Sequence, residues 1–164
     1  MQVSYLDSLD RAVAVLLKQA PIRESIARLK GELQTSPEPF VWATLDCQPL
    51  AGILPPQILS AWIFVLRRDV WSGAHFHPNS IQHMVVVEGR GRSKIAGEER
   101  LMLPYGTPGH PPEAAWHVIE KKVTHEFLPE AADMVVISFH TCAPDELLEI
   151  ESGTGHARVY EVRN

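Results

Sequence analysis

A chain of 164 residues with 45% hydrophobic residues is long enough to bury the core of one domain without disulfides. Its formal net charge of −5 and its lack of a basic patch argue against a nucleic-acid partner. Its apolar runs are too short to span a bilayer, so we expect no membrane partner.

The amino terminus and the cysteines bear on the cellular compartment. The opening stretch MQVSYLDSLDR has no cationic start followed by an apolar run, so we expect no signal peptide. Two cysteines, Cys47 and Cys142, in a chain of this size predict free thiols in reducing surroundings. Both observations favour a cytoplasmic location.

The first 36 residues predict two helices. Apolar residues recur at three- and four-residue spacings along each of them: Leu6, Leu9, Val13, Leu16 and Leu17 in the first, and Ile22, Ile26, Leu29 and Leu33 in the second. Pro21 ends the first helix and suits the first turn of the second. Such a stripe can bind a partner protein, but packing on its own domain is commoner. We expect a helical extension over residues 1–36, packed on a second unit over residues 37–164.

After residue 36, short β-branched and aromatic runs alternate with Pro and Gly. Strands are expected at 40–45, 60–66, 74–77, 82–87, 92–95, 116–120, 125–128, 134–140 and 158–162. Many short strands at near-regular spacing predict an all-β sandwich or barrel behind the N-terminal helices. Its interior is expected to hold Trp62, Phe64, Met84, Val86 and Val136. The acidic segment 144–151, PDELLEIE, is interpreted as a solvated helical turn.

A histidine pair lies in the stretch 73–89, GAHFHPNSIQHMVVVEG. On a strand, His75 and His77 point to the same face, about 6–7 Å apart, so both can reach one metal ion. If the returning strand turns the face that carries Gln82 towards them, Gln82 is the nearest polar side chain. Two imidazoles hold a divalent ion poorly, so a third must come from elsewhere. The candidates are His125, at the head of a late strand, and His83, His110, His117, His140 and His156. Two solvated histidines beside a turn remain the alternative.

This stretch resembles the first motif of the cupins, in which His-x-His is followed by three or four residues, usually Glu, six residues and Gly. His75 and His77 match the pair, Gln82 takes the place of the Glu, and Gly89 follows. The stretch around His125 resembles the second motif, without its usual Pro-x-Gly. The resemblance covers residues 58–142. It implies a jelly-roll barrel, or double-stranded β-helix, with a divalent ion held by His75, His77 and His125, and Gln82 as a further candidate ligand.

A narrower resemblance is to the thiol dioxygenases, the cysteine dioxygenase-like cupins, which hold iron with three histidines and carry Ser-x-His-x-Tyr on the strand that follows. Here Ser138 and His140 match, which makes them candidate catalytic residues that act beside the metal ligands. The alternative is ordinary core, with His140 bonded to a hydroxyl. Cys142 stands in place of the Tyr, and the substrate-binding Arg has no evident match, so cysteine is not carried over as the substrate.

The predicted ligand set suggests a catalytic site. Three imidazoles leave coordination positions open, and a neutral Gln82 leaves the charge of the ion uncompensated, which favours a small anionic substrate. Fe(II) is the favoured ion, with Zn, Ni or Mn as alternatives. We therefore expect a dioxygenase-like enzyme that contains non-haem iron. The alternatives are a non-catalytic cupin that binds a metal or small ligand, and a metal-dependent isomerase or lyase. By analogy with cupins, a homodimer is expected.

Overall fold

The computed structural model describes residues 5–164, which form N-terminal helices followed by a curled antiparallel sheet. The helices are α1 (Tyr5–Leu17), α2 (Ala20–Thr35) and the short α3 (Pro112–Ala115). The strands are β1 (Phe40–Leu45), β2 (Ser60–Leu66), β3 (His75–Phe76), β4 (Gln82–Ile95), β5 (Glu98–Met102), β6 (Trp116–Ile119), β7 (His125–His140), β8 (Leu148–Glu151) and β9 (Ala157–Val159). Among these residues, no helix combines the length and the hydrophobicity that a membrane crossing requires.

The helices cover one face of the sheet. The apolar stripes of α1 and α2 pack in one cluster with outward-facing strand residues, among them Val41, Ile63 and Val135. Leu29 and Leu33 of α2 are fully buried in that cluster. The structure thus places the stripe against the chain's own sheet, while the division into two units at residue 36 remains a prediction.

The opposite face of the sheet encloses a second apolar cluster. It contains the predicted interior residues Trp62, Met84, Val86 and Val136, with Phe64 packed against them. This confirms the predicted alternation along the strands, since neighbours in sequence such as Val85 and Val86 belong to different clusters. The sheet forms a half-barrel, and the predicted fold class is confirmed.

The two long strands β4 and β7 are bent, and their bend brings the two ends of the sheet together. The first half of β4 pairs with the end of β7, as Gln82 with His140, and its second half pairs with the start of β7, as Ile95 with His125. Register shifts between Val86 and Arg90 bend the ladder without ending it. Gly89 has a φ of 77° at this bend. The curl brings His125 and His140 to the same end of the half-barrel.

The observed strands differ from the predicted ones in three main ways, besides shifted ends such as β9 at Ala157–Val159 in place of the predicted 158–162. The strands predicted at 82–87 and 92–95 are one strand, β4, and those at 125–128 and 134–140 are one strand, β7, because the bulged ladder continues through the bend. Strand β5 was not predicted, since its sequence is largely charged and exposed. The prediction of a solvated helical turn over 144–151 is wrong: Leu148–Glu151 forms β8, which pairs with β3 and β9.

Candidate metal centre

Three histidines meet at one end of the half-barrel. His75 lies on β3, directly opposite His125 at the start of β7, and His77 follows β3. Their ring centroids are 4.3 to 5.4 Å apart. One ring nitrogen from each lies within 4.8 Å of the other two. The side chains are buried, with exposed fractions of 7% for His75, 4% for His77 and 1% for His125.

Hydrogen bonds to backbone carbonyls fix the tautomer of all three rings. Nδ1 of His75 lies 2.8 Å from the carbonyl oxygen of Gly73, and Nδ1 of His77 lies 2.8 Å from that of Leu148. Nδ1 of His125 lies 2.9 Å from the carbonyl oxygen of Val123. A carbonyl oxygen only accepts, so each Nδ1 carries the proton and donates it. In the neutral ring, Nε2 then presents a lone pair to the shared centre, as is usual for histidines that bind metals.

One of these lone pairs has no donor to satisfy it. Nε2 of His125 is buried and has no hydrogen-bond partner within residues 5–164. Burial, followed by the charge of His75, lowers the pKa of His77 to about 4, and burial likewise lowers the pKa of His125. Both rings are therefore neutral at pH 7, which is the form that binds a metal. An orphaned, buried lone pair among neutral imidazoles fits a divalent ion.

Ser138 and His140 belong to a hydrogen-bonded network beside the three histidines. The His140 ring is fully buried, 2.9 Å from the Ser80 hydroxyl through Nδ1 and 3.2 Å from the Ser138 hydroxyl through Nε2. Its centroid lies 5.2 Å from that of His77. Burial and the neighbouring histidines lower the pKa of His140, so the ring is neutral. The structure thus brings His140 to the site, with both of its nitrogens already bonded.

Gln82 is held by the same network. Its Nε2 donates to the Ser138 hydroxyl at 3.0 Å, whereas its Oε1 is buried without a hydrogen-bond partner among the residues described. Gln82, His75, His77 and His140 all line one cavity. The amide oxygen is thus available to a donor or an ion in that cavity, and the role of Gln82 as a ligand stays a prediction.

Two spaces border the centre. The inner cavity has a volume of about 30 Å³ and is lined mainly by apolar and aromatic side chains. Since one water needs roughly 10–15 Å³ measured in this way, it admits only one or two small groups. An outer cleft of about 290 Å³ opens beside it. His75 lines both spaces, and the cleft also contains Trp71, Glu149, Glu151, His156 and Arg158.

Glu149 and Tyr160 are site residues that the sequence interpretation missed. Oε2 of Glu149 lies 3.6 Å from Nε2 of His75 and accepts a hydrogen bond from the Tyr160 hydroxyl. Tyr160 lines the inner cavity, so a phenol reaches the site from this residue and not from the position of Cys142. The signal that could have revealed Glu149 is the alternation of Leu148, Glu149 and Ile150, which is typical of a strand.

The remaining histidines lie outside the centre. His83 faces the helices, where its Nε2 lies 3.0 Å from the Tyr5 hydroxyl. His117 is buried on β6, where neither of its ring nitrogens has a hydrogen-bond partner among residues 5–164. His110 borders a separate pocket, and His156 lines the outer cleft. Both cysteines are free thiols, as predicted.

Comparison with known proteins identifies the fold. By sequence, no protein-family description and no curated protein matches the chain. By structure, the chain is similar to salicylate 1,2-dioxygenase from Pseudaminobacter salicylatoxidans, with a TM-score of 0.52, 17% identity, and coverage of 73% of this chain and 32% of that one. The G106A mutant of that dioxygenase in complex with gentisate gives a TM-score of 0.51, 18% identity, and coverage of 73% and 31%.

These similarities show the fold and not the activity. The chain spans about a third of the length of these dioxygenases. The narrower resemblance to the thiol dioxygenases is not shown by them and stays a prediction. The half-barrel is consistent with the cupin jelly-roll fold of these structural neighbours. The chain therefore has the fold of the cupin superfamily.

Proposed function

We propose that the protein is a metal-dependent cupin enzyme in which His75, His77 and His125 hold a divalent ion. One observation carries the proposal. Three imidazoles converge, and the Nδ1–H of each donates a hydrogen bond to a backbone carbonyl oxygen. Lone pairs that meet within 4.8 Å repel one another unless a cation lies between them. Three protein ligands leave positions open for substrate, which favours catalysis over a purely structural ion.

We further propose that the ion is Fe(II) and that the reaction is a dioxygenase-like oxidation of a small organic molecule. Imidazole ligands suit Zn and Ni as well as Fe, but Zn has no redox chemistry and cannot supply electrons to oxygen. The size of the inner cavity supports a substrate that enters through the outer cleft and presents only a small reacting group to the centre.

The side chains around the ion have roles that follow from their contacts. Apolar residues such as Met84 and Val136 keep water from the cavity, which strengthens electrostatic interactions inside it. Ser138 and His140 are proposed to position the amide of Gln82 beside the reacting group. Arg158, in the outer cleft, is proposed to hold an anionic group of the substrate. We also propose that the protein forms a homodimer, by analogy with cupins.

A non-catalytic cupin that binds a metal or small ligand is the second candidate. One observation favours it: both nitrogens of His140 are bonded to serine hydroxyls and its pKa is lowered, so it is a poor proton donor at pH 7. A metal-dependent lyase or isomerase needs an acid or a base at the site, and His140 does not supply one.

Oxygen consumption tests the proposal. The protein is loaded with Fe(II) without oxygen and then assayed in an oxygen electrode with small thiols, diketones and hydroxybenzoates. We expect oxygen uptake with at least one of these classes in the wild type, and none in His125→Ala. Saturable ligand binding without oxygen uptake would favour the non-catalytic candidate, and full metal content in His125→Ala would remove that residue from the site.

A further inference from the structure

Glu149 is a carboxylate buried at the edge of the three-histidine centre. It lies on β8, which pairs with β3, and only 8% of its surface is exposed. The Tyr160 hydroxyl donates a hydrogen bond to it. His75 is the only basic side chain that forms an ion pair with it within the part of the chain that the structure describes. Acidic side chains are rarely buried unless a charge compensates them, so the surroundings of Glu149 call for a cation.

The contact between Glu149 and His75 is longer than a hydrogen bond. Nδ1 of His75 already donates to the Gly73 carbonyl, and its Nε2 faces Oε2 of Glu149 at 3.6 Å. Two lone pairs at that distance repel unless a proton or a metal ion lies between them. Adjacent ligands of one ion that is bound at about 2.0–2.2 Å lie roughly 3–3.5 Å apart, so the two atoms are spaced almost as a ligand pair.

We propose that Glu149 is a fourth protein ligand of the metal ion, a carboxylate supplied by β8 in place of the one that position 82 lacks. This proposal rests on the three-histidine site proposed above. The carboxylate oxygens lie outside the 4.8 Å group formed by the three histidines, so Glu149 completes the set by a side-chain rotation towards the ion. The hydrogen bond from Tyr160 orients the carboxylate, as is common for carboxylates that bind metals.

The β8 strand thereby supports the centre in two ways. The carbonyl oxygen of Leu148 fixes the tautomer of His77, and the next residue supplies the carboxylate. With three neutral imidazoles and one carboxylate, the net charge of a divalent site falls from +2 to +1. The lower net charge weakens the preference for an anionic substrate that a neutral Gln82 implied. Arg158 is then the main positive charge that would attract an anionic group.

Titration with Co(II) alone tests the role of Glu149 without reference to activity. The Kd of Co(II) is measured against a competing chelator, and the visible spectrum of the bound ion reports its ligand set, for the wild type, Glu149→Gln and Glu151→Gln. Glu151 is the matched control, since it lies two residues along the same strand, lines the same cleft and is exposed. We expect Glu149→Gln to bind Co(II) at least tenfold more weakly with an altered spectrum, and Glu151→Gln to stay within twofold with an unchanged spectrum.

The outcomes separate this proposal from the one on which it rests. If the wild type binds Co(II) and Glu149→Gln binds it with the same Kd and spectrum, the role of Glu149 is overturned. The three-histidine site is then left intact. A wild type that binds no Co(II) overturns both. If Glu149→Gln does not fold, Glu149→Asp replaces it. The shorter carboxylate keeps its charge but loses its reach, so an unchanged Kd and spectrum there would also overturn the proposal.

Discussion

His117 is a buried histidine that makes the stability of the protein sensitive to acid. It lies on β6, it is 3% exposed, and neither ring nitrogen has a hydrogen-bond partner among the described residues. Burial, and after it the nearby charge of Arg100, lowers the pKa of His117 from 6.5 to about 4. The unfolded chain therefore takes up this proton at a higher pH than the folded protein does.

We predict that His117→Leu removes this sensitivity. Between pH 6.5 and pH 4 the unfolded state binds more protons, so the free energy of unfolding falls as the pH falls through that window. With these two pKa values, the contribution of His117 drops by about 2 kcal/mol from pH 7 to pH 5 and by about 3 kcal/mol by pH 4. Leucine does not titrate, and its substitution breaks no hydrogen bond.

Urea unfolding of the wild type and of His117→Leu, each at pH 7 and pH 5, checks this prediction. The stability of the variant relative to the wild type should rise by about 2 kcal/mol on going to pH 5. Other buried histidines titrate in both proteins, so only the difference between the two is diagnostic. The exposed Val118, next to His117 on β6, provides the control, since Val118→Ala changes no titrating group and should leave the pH dependence unchanged. A difference between wild type and His117→Leu that is the same at both pH values would refute the reasoning.

Three further substitutions test the packing that positions the site, each by its shift in thermal and urea unfolding. Gly91→Ala should lower stability by about 1–3 kcal/mol or more, because its Cβ would lie 2.3 Å from the carbonyl oxygen of Leu128, and normal stability would refute the tight approach of β4 to β7. Gly31→Ala should raise stability by about 0.5–1 kcal/mol, because Gly31 lies within α2 and no atom lies within 4 Å of the new Cβ. A loss of stability would contradict the open surface at this position. Leu29→Ala should cost about 2–5 kcal/mol, because the side chain is fully buried between α2 and the sheet, and an effect under 1 kcal/mol would show that the helices do not contribute to one core.

Local patterns were sufficient to predict much of the fold. The bounds predicted for β1 and β2 agree with the structure, because each is an uninterrupted β-branched and aromatic run between turn residues. The paired histidines were recognisable because His75 and His77 are two residues apart. The selection of His125 came from the cupin resemblance, since the register that places it opposite His75 depends on how the whole sheet curls.

The parts that were missed depend on contacts between distant segments. The bulges that continue β4 and β7 through their bends have no strong local signal beyond Gly89. The segment around Glu149 is acidic and was expected to be solvated, yet pairing with β3 and the hydrogen bond from Tyr160 bury it. The charge argument built on Gln82 was consequently incomplete, because it counted ligands in the motif and not the carboxylate that the fold brings to His75.

The central claim is that His75, His77 and His125 bind a divalent ion, and elemental analysis tests it most directly. The protein is purified without added metal or chelator, alongside His125→Ala, and its metal content is measured before and after incubation with Fe(II). We predict close to one ion per chain in the wild type and a strong loss in the variant. A wild type that contains no metal and takes up none on addition would contradict the account.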